Sequence, residues 1–348
     1  MKHRGRPVAY ALAAALCYGI SAPVAKILLA ELPPTLMAAL LYLGAGFGML
    51  LVNALRGKKT REREARITRR ELPFIVAMVL LDITAPILLM LGLARTTSAT
   101  ASLLNNFEIV ATTVIALVIF REAVGRRMWA AIGFIVFASV ILSVEDIGSM
   151  SFSTGAVFVL LASVCWGFEN NCTRMLSLKN PLQIVMIKGF GSGGGALIIS
   201  LVMREGGARI GIIAAALLLG FVAYGLSIYC YILAQRQLGA ARTSAYYAFA
   251  PFIGVGLSFI AFREPPTIAF IVALAIMAAG AYLAAFEKHG HAHVHELLKH
   301  EHRHRHDDGH HVHRHNAEVD GEHSHEHTHE EAAHTHPHMP DLHHRHAH

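Results

Sequence analysis

Apolar residues along this chain come in long uninterrupted runs, separated by short knots of charge, glycine and proline. The runs fall at about 8–29, 34–55, 72–93, 97–120, 127–145, 154–176, 182–203, 210–234, 239–262 and 266–286. A helix of roughly 20 residues, rising ~1.5 Å per residue, covers ~30 Å of hydrocarbon. The punctuation is equally regular: Pro33-Pro34, a basic stretch from Arg56 to Arg70, Arg95-Thr96-Thr97, Gly125-Arg126-Arg127, Gly148-Ser149, Asn180-Pro181, Gly206-Gly207, Gly239 and Pro265-Pro266. A spanning helix satisfies its own backbone in lipid, so the pattern predicts an all-α polytopic membrane protein with ten transmembrane helices.

Composition agrees. Hydrophobic residues make up 54% of the 348, charged residues 16%, and mean hydropathy is +0.45, which excludes a soluble domain of this size. The formal charge of +6 hides a division: residues 288–348 carry −5, leaving +11 on the apolar part. That balance suits a membrane core with basic loops and argues against a nucleic-acid partner. Cys17, Cys165, Cys172 and Cys230 all lie inside apolar runs and read as packing residues. The start (Lys2, Arg4, Arg6, then a run) has the look of a secretory signal, but the run is long and a similar segment recurs mid-chain. It is therefore expected to stay as the first span.

Arg56, Lys58, Lys59, Arg61, Arg63, Arg66, Arg69 and Arg70 follow the second run, so that loop is expected in the cytoplasm. Ten spans then place both termini there, in an integral protein of a bacterial plasma (inner) membrane.

The chain also repeats itself. Leu16-Cys17-Tyr18-Gly19 with Lys26 matches Val164-Cys165-Trp166-Gly167 with Arg174 at an offset of 148. Pro34, Gly44, Gly46 and Gly48 match Pro181, Gly191, Gly193 and Gly195 at 147, and Phe120-Arg121-Glu122 matches Phe262-Arg263-Glu264 at 142. Several matches in one order at nearly one offset predict two five-span halves. An odd number of spans makes the second half inverted, with the solute site near the midplane between them.

With this repeat, the small-residue openings Ala13–Gly19 and Ala162–Gly167, and the stretch Gly92–Ala99, the sequence resembles the drug/metabolite transporter superfamily, in its ten-span EamA type. The resemblance covers roughly 8–286 and implies transport of small organic solutes, often export. It divides the chain into EamA-like repeats at 1–146 and 147–287 and a tail at 288–348. Family members often carry an arginine about seven residues after the second-span proline; here those places hold Leu41 and Lys188.

Charge inside a lipid-depth helix costs about 2.5–3.5 kcal/mol on insertion scales and usually faces a pathway or a partner. Glu108 is central in the fourth run, with Asn105 and Thr112 on the same helical face. This set suits a cation, a proton relay or an amine; the structural alternative pairs Glu108 with Lys188 for folding. Glu169 with Asn170 in the sixth run completes a site across the repeat, and Asp82 in the third run is a further candidate. Lys26 is expected to snorkel to the outer interface. Arg121-Glu122 and Arg263-Glu264 read as helix-end anchors. The glycines at 191 and 193–195 permit close helix packing and form no phosphate loop.

Of 24 histidines, 23 lie between His289 and His348. His289, His291, His293 and His295, then His300, His302, His304 and His306, then His323, His325, His327 and His329, repeat as His-x-His. With few apolar residues the tail is expected to be disordered and to gather Ni, Co, Zn or Cu ions by imidazole ligation; a pH-sensitive solvating tail is the alternative.

The expected function is a secondary transporter and not an enzyme, with no cofactor required. Its substrate is either a divalent transition metal ion or an organic metabolite. A membrane-tethered metal sensor or buffer without transport stands beside it. Expected partners are the bilayer, the substrate and transition metal ions, with room for a homodimer.

Overall fold

The computed structural model describes residues 5–55, 69–120, 124–146, 151–176, 179–238, 243 and 246–285, and tail segments 290–294, 298–304, 323–329 and 333–337. The first apolar run is two helices, α1 (Gly5–Gly19) and α2 (Ser21–Leu28), broken at Ile20. Then come α3 (Pro34–Leu55) and α4 (Leu72–Arg95), and the fourth run is broken again, into α5 (Ser98–Leu104) and α6 (Phe107–Phe120). After α7 (Arg126–Ser143), a small antiparallel pair, β1 (Val144–Asp146) with β2 (Ser151–Phe152), leads into α8 (Thr154–Leu176). A π-helical turn, Lys188–Ser192, joins α9 (Pro181–Ile187) to α10 (Gly193–Val202), and another, Phe221–Leu226, joins α11 (Ile210–Gly220) to α12 (Ser227–Leu238). Helices α13 (Ala250–Phe262) and α14 (Ile268–Ala285) complete the body.

Local sequence explains the ends. Thr97 caps α5 by accepting from the Thr100 N–H, and Asn180 caps α9 at the Leu182 N–H with Pro181 in the first turn. Arg263 ends α13 with a left-handed backbone (φ 53°), a place where glycine is the default. Arg121 and Glu122, its counterparts in the first half, lie outside the described residues, as does most of the basic stretch after α3.

Where ten equivalent spans were expected, eight described segments are long and apolar enough to cross a membrane. The others are α8 and α13. Helix α8 has the length, but Glu169, Asn170, Asn171 and Arg174 dilute its apolar character, and α13 has only 13 residues. Large apolar side chains such as Leu201, Ile260 and Ile268 face outward, as lipid contact requires.

Helix α3 runs through the centre. It packs on α10 and α11, and glycine permits both approaches. A Cβ at Gly44 would sit 2.0 Å from the Leu217 carbonyl oxygen, and one at Gly220 2.0 Å from that of Leu41. The backbones are therefore nearly in contact, the packing that small residues allow in a bilayer. Other close pairs are α4 with α8, α1 with α12, α6 with α8, α5 with α13 and α7 with α14.

Four short segments of the tail are described as strands. Strand β3 (Gly290–Val294) pairs with β6 (Ala333–Pro337), and β4 (Leu298–His304) with β5 (His323–His329), both antiparallel. Strict His-x-His alternation has the two-residue period of a strand, which offers this backbone a regular pairing.

Candidate functional site

Asp82 stands ten residues into α4, about 15 Å along its axis, close to mid-membrane. Lys188 begins the π-helical turn, and Glu169 lies on α8. The three are buried, at 1%, 5% and 3% exposure, and they meet. Lys188 Nζ is 2.5 Å from Glu169 Oε1 and 3.4 Å from Asp82 Oδ2. Tyr42 of α3 donates to Asp82 Oδ1 at 2.8 Å, and Thr173, one turn along α8, donates to Glu169 Oε1. Isolated buried ions cost several kcal/mol each, so the group persists because each charge has a counter-charge and each carboxylate a hydroxyl donor. Two carboxylates share one ammonium.

Neighbouring residues of α8 point about 100° apart, which sends Asn170 to different helices from Glu169. Asn170 Nδ2 donates to Glu108 Oε1 at 2.6 Å and to Thr112 Oγ1 at 3.3 Å, both on α6. Asn171 Nδ2 reaches the Thr112 carbonyl at 3.2 Å and its own helix at Gly167. Helix α8 gets this close to α6 because residue 167 is glycine: a Cβ there would lie 2.6 Å from that of Ala111.

The Lys188–Glu108 pair considered from sequence is not what forms; Lys188 is taken by Asp82 and Glu169, and Glu108 is held by an amide. Asn105 sits at the break between α5 and α6, away from the Asn170 contact, against a small cavity lined also by Tyr18, Ser21 and Ser102. Lys26 does not run free to an interface. Its Nζ donates to the Leu93 carbonyl at 2.6 Å and the Thr96 carbonyl at 2.9 Å, a cation at the negative end of α4.

Sequence reading singled out none of Tyr18, Tyr42, Tyr224 and Tyr231 as site residues. Tyr42 packs on Tyr224 (5.3 Å between centroids), Tyr224 on Tyr18 (6.0 Å), Tyr18 on Tyr247 (5.8 Å) and Tyr247 on Tyr231 (5.0 Å). This file of rings leads from Tyr42, at the charged cluster, through Tyr224 to Tyr18 on α1 and on to Tyr247 and Tyr231. One available signal was five tyrosines placed inside apolar runs. Of the tail histidines, His289, His295 and His306 lie outside the described residues, and for the rest the backbone alone is described.

Chemically, the Lys188 cluster is internally neutralised save for one formal negative charge. Glu108 offers a carboxylate bound by a neutral amide that also reaches the Thr112 hydroxyl.

A model of the EamA-like transporter family matches the chain twice, at residues 5–144 and 153–286. A protein of Methanothermobacter thermautotrophicus named "Uncharacterized transporter" is 27% identical over 291 residues, covering 78% of this chain and 84% of that relative. A solved structure titled "Crystal structure of protein" superposes with a TM-score of 0.58 at 17% identity, over 81% of this chain and 96% of its own, a likeness of fold.

Proposed function

Since the chain belongs to the EamA-like transporter family, we propose that it is a secondary transporter of a small organic solute bearing a basic amine, which it binds at Glu108. The observation that carries this reading is the division of the carboxylates within the spans, two of them buried and Glu108 half-buried. Asp82 and Glu169 are committed to Lys188, whereas the hydrogen-bond partner of Glu108 among the described residues is the amide of Asn170. One carboxylate with amide and hydroxyl neighbours suits an ammonium group on an organic frame. A bare divalent transition metal favours several charged or imidazole ligands.

Ten spans in two inverted halves suit the matched pairing of elements, α4 with α8 answering α12 with α1, and α6 with α8 answering α13 with α1. Alternating access then comes from rocking one half against the other. Both termini are cytoplasmic in this reading, in a bacterial inner membrane. The histidine tail binds Ni, Co, Zn or Cu ions and tunes transport.

A second reading, in which the metal is itself the cargo, is favoured by the 23 histidines of the tail. Proteoliposomes of the full chain and of a 1–287 truncation separate the two. Transport currents with small amines, retained by the truncation, support the first. Currents with Ni, Co or Zn ions alone support the second, and metal binding without any flux points to a tethered sensor.

A further inference from the structure

Three broken or freshly started helices converge on one small cavity. Helix α1 ends at Gly19, α5 ends at Leu104, and α13 starts at Ala250; the lining includes Tyr18, Gly19, Ser21, Ser102, Asn105 and Pro251. Its space takes a single water-sized group. Ser102 and Asn105 are 3% and 8% exposed, and Ser102 Oγ and Asn105 Oδ1 have no protein partner. Buried polar atoms are nearly always satisfied, so two together call for a ligand.

The backbone adds to them. The residue four after Gly19 is Pro23, which has no N–H, so the Gly19 carbonyl lacks the usual i+4 donor. The Asn106 N–H turns back to the Leu103 carbonyl, 3.2 Å away, instead of continuing the ladder to Ser102. A Cβ placed on Gly254 would lie 2.7 Å from Ser102 Oγ and 3.1 Å from the Gly19 oxygen, so both oxygens look onto one spot. Helices α1 and α5 end here and α13 begins here, so helix ends of both signs meet, and no charged residue lines the cavity.

Unpartnered oxygens beside the Gly19 carbonyl suit a monovalent cation, and the lack of a carboxylate in the lining disfavours a divalent ion. We propose that this cavity binds one sodium ion, held by Ser102 Oγ, Asn105 Oδ1 and the Gly19 carbonyl. Because the site is built from the ends of broken helices, its occupancy is tied to how α1, α5 and α13 meet, which makes it a coupling site for the solute. The coupling rests on the transport reading above; the binding does not.

The test is equilibrium binding of ²²Na⁺ to the purified full-length protein in detergent, in a choline chloride background. We expect saturable binding at a single site per chain, displaced by unlabelled sodium chloride and weakened about tenfold or more by Ser102→Ala. Gly254→Ala, which fills the cavity, is expected to abolish it. Ser102→Ala removes only a hydroxyl and is checked for unchanged melting in choline, so it decides the matter even if Gly254→Ala fails to fold. Absence of saturable ²²Na⁺ binding, leaving water as the occupant, overturns the proposal. So does binding unaltered in Ser102→Ala. Sodium binding that is intact while no amine is carried counts against the transport reading alone.

Discussion

The charged cluster at Lys188 and the neutral cavity beside Asn105 treat buried polarity in opposite ways. In the first, three ionisable side chains from α4, α8 and the turn after α9 pair with one another, and Tyr42 and Thr173 supply hydroxyls. Asp82 Oδ2, which has no hydrogen bond, still has Lys188 3.4 Å away. In the second, Ser102 and Asn105 keep oxygens with no partner, although they are as deeply buried. A closed set of charges holds helices together. An open set of acceptors waits for something that is not protein. Glu108 lies between the two, held by one amide.

Breaking the closed set should have the largest effect. Lys188→Met strands two buried carboxylates and should cost about 3–5 kcal/mol, the usual penalty for removing one partner of a buried ion group. Thermal unfolding in detergent would read this, and adding Asp82→Asn and Glu169→Gln should recover much of it. If Lys188→Met alone melts like the native chain, the cluster is not the brace described. Prying α3, which carries Tyr42, away from α11 comes next. Gly220→Ala puts a methyl where the Leu41 carbonyl oxygen already sits and should cost about 1–3 kcal/mol.

A smaller loss is expected at the start of α3. Glu205 Oε2 accepts from the Leu36 N–H at 2.8 Å and from Ser200 at 2.9 Å, an N-terminal cap lent by the other half of the chain. Glu205→Ala should cost about 1 kcal/mol, seen as a modest drop in melting temperature. The smallest change belongs to the open set. In sodium-free choline, Ser102→Ala should leave stability unchanged within about 0.5 kcal/mol, since the hydroxyl removed was unsatisfied. A large loss there would erase the contrast between the two regions.

Much of the architecture was legible in the sequence, because lipid imposes a length and a polarity on each span. The observed α3, α4, α8 and α14 lie within a few residues of their apolar runs. The charges were legible singly. Asp82, Lys188 and Glu169 each stood out, yet their meeting depends on how three helices cross, and no spacing within one helix encodes that. This is why Glu108 was the partner considered for Lys188. Tyr42 escaped because a tyrosine in an apolar run costs little and draws no attention until a carboxylate is found 2.8 Å away. The helix breaks had signals that periodicity overrode: Pro23 four residues after Gly19, the Asn105-Asn106 pair, and Pro251 at the start of α13. The tail's alternation had the period of a strand, but its poverty in apolar residues argued for disorder.

The most direct test of the account is transport current through proteoliposomes of Glu108→Gln, compared with the native chain across a panel of small organic amines. The carboxamide keeps the shape and the Asn170 contact but loses the charge. The account predicts that an amine carried by the native protein loses at least about tenfold of its current in Glu108→Gln, while the protein still folds. An amine current that survives Glu108→Gln undiminished would contradict it.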